Sequence, residues 1–130
     1  MEKFRLNGSV KTPTIHFDGE TGVLEFKGRS IPEDSIEFFR PLNDWLDIYL
    51  NDPKYETIVN MKLEYFNTSS SKCILDFFKK LEKINGQATN VRINWYFEKG
   101  DEDMAEAGED YGAIVSLPFQ IIELEGEFNK

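Results

Sequence analysis

Residues that enzymes commonly use as nucleophile and base are scarce in this chain of 130 residues, which has one cysteine, Cys73, and one histidine, His16. A single cysteine excludes an internal disulfide and is typical of a reducing compartment, so we expect a cytoplasmic protein. Nucleophilic catalysis needs a nucleophile and a base that orients it, and no local motif joins the cysteine to the histidine. Both residues are therefore expected to be structural.

Basic residues are also few. The chain has 15 Lys and Arg against 24 Asp and Glu, which gives a formal net charge of −9. Nucleic acids and anionic membrane surfaces are bound through Lys and Arg, so this charge argues against both as partners. No apolar run approaches the roughly 20 residues that a membrane-spanning helix needs, and no signal peptide is visible.

Aromatic side chains, by contrast, are abundant, with 11 Phe, 5 Tyr and 2 Trp. Hydrophobic residues make up 40% of the chain and charged residues 30%, which is a globular balance. A chain of this length can bury one core without disulfides. We expect a single domain over residues 1–130, with residues 1–12 as a lead-in and residues 125–130 as a tail.

The hydrophobic periodicity predicts an α/β fold. Alternating apolar residues predict strands at 14–17, 23–28, 57–65 and 91–97, and further strand segments at 113–117 and 119–124. A helix should start within residues 30–35, a second should start near residue 69 or 70, and a short third should span 102–107 with Asp101 as its cap. Because the strands alternate instead of being apolar throughout, we expect a mixed sheet with helices mainly on one face.

Two of these patterns predict which side chains are buried. In the central strand, Val59, Met61, Leu63 and Tyr65 share one side. The first helix has a periodic apolar series, which comprises Ile36, Phe39, Leu42, Trp45, Leu46 and Tyr49. Pro41 lies inside that series and should break the helix into two pieces or kink it.

The acidic segment 98–110 does not fit a metal or phosphate-transfer site. Asp101, Glu102 and Asp103 do not continue into the spacing of a calcium-binding loop, and a glycine-rich phosphate loop with its lysine is absent. We expect no metal and no cofactor. The segment is interpreted as a solvated helix start, with a second possible use as an acidic docking surface.

The most informative segment is residues 67–72, with the sequence NTSSSK, at a predicted strand-to-helix junction. The start of a helix presents unpaired backbone N–H groups and a partial positive charge. Asn, Ser and Thr side chains at such a position can cap the helix, and a phosphate placed there would be held by the same N–H groups. The pattern is consistent with capping alone and with phosphorylation.

This segment belongs to a wider resemblance that runs from about residue 12 to residue 119. The matching segments are TP at 12–13, FD at 17–18, GRSIPE at 28–33, WL at 45–46, YFNTSSSK at 65–72, NWYFE at 94–98, DEDM at 101–104 and GED at 108–110. Together they resemble the SiaC family of bacterial regulatory phosphoproteins, and the stretch 65–72 is the specific part. The chain departs at Ile31, where an aromatic residue is common, and its acidic C-terminal end does not align.

The resemblance implies a fold similar to STAS domains and a regulatory protein that is not an enzyme. It implies a partner-switching circuit in which a kinase of the histidine-kinase-like ATPase type phosphorylates Thr68 and a PP2C-type phosphatase removes the phosphate. The unmodified form would bind and activate a diguanylate cyclase, which raises cyclic di-GMP and promotes biofilm formation.

Around Thr68 we expect a partner-binding surface that comprises Tyr65, Phe66, Asn67, Ser69, Ser70 and Lys72. The helix should begin near Ser69 or Ser70, with Asn67, Ser69 and Ser70 sharing the capping. Phe66 either lies on the open side of the sheet or turns back to staple the helix start.

Three other functions stay open at this point. The chain could act like an anti-sigma-factor antagonist on a different effector. It could be a small enzyme that uses His16, Cys73 or the acidic segment. It could also be a passive adaptor in which the hydroxyl run only caps a helix.

Overall fold

In a computed structural model, which describes residues 1–128, six strands form one mixed sheet that is accompanied by three helices. The strands are β1 (Phe4–Leu6), β2 (Thr14–Asp18), β3 (Val23–Ser30), β4 (Glu56–Phe66), β5 (Asn90–Glu98) and β6 (Phe119–Leu124). The helices are α1 (Ser35–Tyr49), α2 (Thr68–Ile84) and α3 (Glu102–Ile114). The strands lie in the order β1-β2-β3-β4-β5-β6. The pairs β1–β2 and β2–β3 are antiparallel, and the pairs from β3 to β6 are parallel.

The helices pack on one face of the sheet, as the alternation predicts. On that face the register aligns four buried side chains across adjacent strands, namely Phe17, Leu24, Val59 and Ile93. The neighbouring row points to the other face and is polar; it comprises His16, Glu25, Asn60, Asn94 and Gln120. The predicted fold class, an α/β mixed sheet with helices mainly on one face, is confirmed.

The first residues do more than lead into the domain. Phe4–Leu6 forms an edge strand that pairs antiparallel with β2, with Phe4 opposite Phe17. The two rings lie 6.0 Å apart, so Phe4 extends the core at the sheet edge. The interpretation of residues 1–12 as a lead-in therefore missed this strand.

Helix α1 is one continuous helix from Ser35 to Tyr49 in spite of Pro41, so the predicted break into two pieces is wrong. Pro41 has no N–H to donate to the carbonyl one turn back, on exposed Glu37, where water can replace it. The buried side chains on either side of Pro41 hold both halves against the sheet. The assignment of Ile36 to the buried series is also wrong, because 71% of this residue is exposed.

A bulge near the end of β4 changes which of its side chains point toward the core. Gly28 pairs with Leu63 and Arg29 with Tyr65, so Glu64 is an extra residue with no partner in β3. An extra residue in a strand reverses the alternation beyond it. Tyr65 is consequently 54% exposed, and the prediction that it shares the buried side of β4 is wrong.

Helix α3 is longer than predicted and extends to Ile114, so residues 113–117 do not form a strand. Asp101 caps it as expected, since its Oδ1 accepts from the Met104 N–H at 3.1 Å. Gly108 lets the helix approach the sheet, because a Cβ there would lie 2.5 Å from Trp95 Cδ1. Gly108 therefore lies inside the helix, where the lack of a side chain permits close packing. Within residues 1–128, no helix combines the length and the apolar character needed to cross a bilayer.

Candidate functional site

The first turn of α2 begins where β4 ends. Helix α2 starts at Thr68, slightly earlier than predicted, and Asn67 is its N-cap. Asn67 Oδ1 accepts from the Ser70 backbone N–H at 2.9 Å and from the Ser69 hydroxyl at 3.2 Å. Because the Asn67 N–H also donates to the Ser30 carbonyl at 3.0 Å, the cap is fixed to the end of β3.

Four serines, Ser30, Ser35, Ser69 and Ser70, meet beside this cap, and we call them the serine cluster. The Ser70 hydroxyl lies 2.9 Å from Ser30 Oγ and 3.3 Å from Ser35 Oγ. Ser35 Oγ also lies 2.7 Å from Ser69 Oγ. The cluster therefore joins the end of β3, the start of α1 and the start of α2.

Burial separates the hydroxyls of this segment. Ser70 is fully buried, so its predicted exposure beside Thr68 is wrong, and its role is to position the turn. Capping is not shared by three residues either, because Asn67 is the N-cap and the Ser70 hydroxyl points into the cluster. Ser69, at the outer edge of the serine cluster, is exposed.

Thr68 presents its hydroxyl to solvent, whereas the hydroxyl of exposed Ser69 donates to Asn67 and lies 2.7 Å from Ser35 Oγ. Thr68 is exposed at the first helical position of α2, and within residues 1–128 no group hydrogen-bonds to its side chain. The first turn of α2 contains no acidic residue, and exposed Lys72 follows four positions later on the same helical face. A phosphate on Thr68 would thus meet a helix N-terminus and a lysine, both of which favour negative charge.

Phe66 and Tyr65 flank this turn on different sides. The Phe66 ring lies 6.0 Å from Trp95 and 6.2 Å from Tyr111, so Phe66 packs on the helix side of the sheet. The prediction that Phe66 lies on the open side is therefore wrong, and its ring contacts are with β5 and α3. Tyr65 is exposed and lies on the outside of the same strand end.

Tyr111, which the sequence did not single out, connects α3 to the first turn of α2. Its hydroxyl donates to the Ser71 carbonyl at 2.8 Å and lies 3.2 Å from Ser71 Oγ. Burial raises the pKa of Tyr111 to about 12, although the hydrogen bond with Ser71 opposes that shift. No local signal could have revealed this contact, since the two residues are 40 positions apart.

The other residues considered for chemistry do not come together. His16 lies in the polar row on the open face, whereas Cys73 lies in α2 on the opposite face of the sheet. Burial, followed by the carboxylates of Asp76 and Asp34, raises the pKa of the Cys73 thiol, which opposes a nucleophilic role. No group of three or more metal-ligating side chains is found in residues 1–128.

Comparison with known proteins gives this site its context. The model of the SiaC family of regulatory phosphoproteins matches residues 6–124. The chain belongs to the SiaC family. An uncharacterized protein of Pseudomonas aeruginosa strain UCBPP-PA14 is 32% identical over 121 residues, which cover 93% of this chain and 96% of that protein.

Solved structures from this family are also similar. SiaC of Pseudomonas aeruginosa matches with a TM-score of 0.86 and 31% identity, over 95% of this chain and 100% of that one. A crystal structure of the diguanylate cyclase SiaD in complex with its activator SiaC, from the same species, contains a chain that matches with a TM-score of 0.86 and 32% identity. That match covers 93% of this chain and 99% of the other. As a member of this family, the protein is a regulator and not an enzyme, so the small-enzyme reading is wrong.

Proposed function

We propose that this protein binds and activates a diguanylate cyclase in its unphosphorylated form and that a phosphate on Thr68 blocks the binding. The observation that carries the proposal is the similarity to SiaC, which was solved in complex with the cyclase SiaD as its activator. The circuit would act in the cytoplasm and control cyclic di-GMP.

The position of Thr68 supports its proposed modification. It is exposed at the beginning of α2, while neighbouring Ser70 is buried and Ser71 is half-buried against Tyr111. A kinase of the histidine-kinase-like ATPase type could reach Thr68 without opening the fold, and a PP2C-type phosphatase could remove the phosphate from the same exposed site.

The phosphate should act at the interface and leave the fold intact. Within the domain it would lie beside a helix N-terminus and Lys72, which can stabilise an anion by about 1–2 kcal/mol. Across an interface the same group must lose its hydration and repel nearby carboxylates, which costs several kcal/mol. Shifting a bound population from 99:1 to 1:99 takes about 5.5 kcal/mol, which a buried double negative charge could supply.

The proposed contact surface surrounds Thr68 and consists of Tyr65, Phe66, Asn67, Ser69 and Lys72, with Ser70 behind it. Tyr65, Ser69 and Lys72 are exposed, and Phe66 and Asn67 are half-buried. Ser70 would contribute by positioning the turn and not by direct contact.

The test is an activation assay with the diguanylate cyclase of the native cell. Wild-type protein and Thr68→Ala should raise the cyclase rate, whereas Thr68→Asp should not. Thr21→Asp is the matched control, because Thr21 is an exposed threonine in the β2–β3 turn, away from the end of β4 where α2 begins. Equal activation by Thr68→Asp and Thr21→Asp, or no activation by the wild type, would overturn the proposal.

Intact-mass measurement of protein from its native cell tests the modification itself. We expect a species that is heavier by one phosphate, with the group assigned to Thr68 by peptide mapping. A phosphate found only on another residue, or absent under every growth condition, would refute Thr68 as the acceptor.

A further inference from the structure

We propose that a cleft on the open face of the sheet binds a small phosphate monoester that carries several hydroxyl groups, the chemistry of a sugar phosphate, through Lys27 and Arg29. The cleft lies on the face of the sheet that the helices leave uncovered. It would give this regulator a small-molecule ligand besides its protein partners, and the inference does not depend on the proposed function.

The cleft has the size of a small-molecule site. Its volume is about 620 Å³, within the range of roughly 300–1,000 Å³ that such sites have. The β1–β2 loop, residues 7–13, forms one rim, and Glu64 of the β4 bulge lies at the border of the cleft. The floor consists of outward side chains of β2 and β3, which include Thr14, His16, Glu25, Lys27 and Arg29.

The rim of the cleft is held by hydrogen bonds within the loop. Ser9 Oγ accepts from the Lys11 N–H and from the Thr12 N–H, both at 3.1 Å. The Ile31 N–H donates to the Lys11 carbonyl at 2.8 Å, which ties the loop to the residue that follows β3. A rim that is already ordered loses little conformational entropy when a ligand binds.

The two basic side chains of the floor lack acidic partners, although Asp and Glu outnumber Lys and Arg in this chain. Lys27 lies directly opposite Lys62 in the register of β3 and β4, so two like charges are neighbours. Lys62 forms an ion pair with Glu25, with 2.9 Å between Nζ and Oε1. Among the described residues, no carboxylate lies within ion-pair distance of Lys27 or Arg29. A bound anion would offset the repulsion at Lys27.

Lys27 and Arg29 are placed to share one anion. They are two residues apart on β3, so their Cα atoms lie about 7 Å apart and both side chains line the cleft. A phosphate monoester carries about two negative charges and three acceptor oxygens, which two cationic donors can share. A carboxylate has one charge and two oxygens, so it matches the pair less completely. A long polyanion is disfavoured, because the net charge of −9 repels it.

The remaining lining favours a ligand with hydroxyl groups. The His16 imidazole and the Glu64 carboxylate form no ion pair among the described residues, so each can bind a hydroxyl group. Glu64 is the extra residue of the bulge, and bulges often aim a side chain at a functional site. Val10 is the one apolar side chain among the described lining residues, which include no Phe, Tyr or Trp. A nucleobase would therefore lack a large aromatic stacking partner.

NMR titration of the isotope-labelled chain tests the site with two sugar phosphates, ribose 5-phosphate and glucose 6-phosphate. At least one of them should bind saturably and about tenfold more tightly than inorganic phosphate, with amide shifts at residues 8–14 and 25–29. Ribose and glucose, which lack the phosphate, should cause no shifts at the same concentrations. The inference is overturned if neither sugar phosphate binds better than inorganic phosphate, or if adenosine monophosphate or a phosphoserine peptide binds more tightly than both.

Two neutralising substitutions locate the ligand. Lys27→Gln and Arg29→Gln should each weaken binding of that sugar phosphate about tenfold, because each removes a charge-assisted hydrogen bond. Lys79→Gln and Arg92→Gln are matched controls at exposed positions outside the cleft, and they should bind like the wild type. Circular dichroism checks that all four variants fold. Unchanged binding by folded Lys27→Gln and Arg29→Gln would overturn the assignment, and the proposed function would stand, because these titrations contain no cyclase.

Discussion

Buried hydroxyl groups tie the chain together at both ends of β4, but only at one end is an exposed threonine adjacent in sequence to the buried cluster. At the end of β4 lies the serine cluster, with Ser70 fully buried and Thr68 exposed beside it. At the start of β4 lies a second group, which we call the threonine cluster: Tyr49, Thr57 and Thr89. Both clusters join neighbouring elements through hydrogen bonds between buried hydroxyl groups, but they differ in what lies beside them.

The threonine cluster is sealed. Thr57 Oγ1 lies 2.8 Å from the Tyr49 hydroxyl and 2.9 Å from Thr89 Oγ1. All three residues are buried, and Thr89 also donates to the Tyr55 carbonyl at 3.3 Å. The cluster therefore joins α1, β4 and the segment before β5, and none of its own hydroxyls is accessible to a modifying enzyme.

The difference lies in the backbone that follows each cluster. After Thr57 of the threonine cluster the chain continues as a strand, whereas the serine cluster includes the first turn of a helix. Side chains in a helical first turn point to several sides of the axis, so one hydroxyl can be buried while its neighbour faces solvent. Under the proposed function, the buried serine cluster next to exposed Thr68 would hold this threonine in place for the kinase and the partner.

The largest expected loss of stability at the serine end comes from Phe66→Ala. Phe66 is half-buried against Trp95 and Tyr111, so truncation should cost about 2–3 kcal/mol of unfolding free energy. Tyr65→Ala, at the exposed neighbour, is the control and should cost less than about 1 kcal/mol. Chemical denaturation measures both; equal losses would show that Phe66 does not pack inward.

At the threonine end, Thr57→Val keeps the shape of the side chain and removes its hydroxyl. The Tyr49 hydroxyl would lose its acceptor in a buried site, which should cost about 2 kcal/mol. Cyclase activation by the folded variant should be unchanged, since Thr57 is about 30 Å along β4 from Phe66. A loss of activation without a loss of stability would contradict the view that the threonine cluster serves stability alone.

Ser70→Ala should have a smaller effect on stability and a distinct effect on function. Ser30 would lose its bond to Ser70 and Ser35 would keep Ser69, so we expect a loss of about 1–1.5 kcal/mol. Because the serine cluster would position Thr68, phosphorylation of Thr68 should slow in this variant and not in Thr57→Val. Equal phosphorylation rates in the two folded variants would argue against a positioning role for Ser70.

A further contrast is a pH dependence from Tyr111, which is about 1 kcal/mol at moderately alkaline pH. Its pKa is raised to about 12 in the folded protein and is about 10 for an unfolded chain, so the unfolded state loses its proton first. Stability is therefore complete below pH 10 and falls as the pH rises toward 12, by about 1 kcal/mol between pH 10 and 11. Tyr111→Phe should remove this part of the alkaline loss, whereas Tyr55→Phe, at a residue 80% exposed, should not.

Local patterns in the sequence predicted most of the fold. Strand alternation identified the hairpin, the central strands and the one-sided helical layer, because a period of two is a direct consequence of strand geometry. The bulge at Glu64 escaped prediction, since it is defined by the register with β3 and not by the residues of β4. The length of α3 was missed because Gly108 is needed for contact with Trp95, and that contact is a tertiary feature.

The candidate site also has features that local sequence predicts and features that depend on distant residues. The Asn67 cap and the junction of strand and helix follow from residue types that helix starts prefer. The burial of Ser70 depends on Ser30 and Ser35, which are 40 and 35 positions away, so no local pattern could separate Ser70 from Thr68. The sequence identified the turn as a candidate site, and the structure separates its buried hydroxyl, on Ser70, from the exposed ones on Thr68 and Ser69.

The most direct test compares Thr68-phosphorylated protein with unmodified protein in two measurements on the same samples, the dissociation constant for the cyclase and the melting temperature. We expect the dissociation constant to rise at least about 100-fold, which corresponds to roughly 3 kcal/mol, while the melting temperature changes by less than about 5 °C. An unchanged dissociation constant together with a collapsed melting temperature would contradict the account, because the phosphate would then act on the fold and not on the interface.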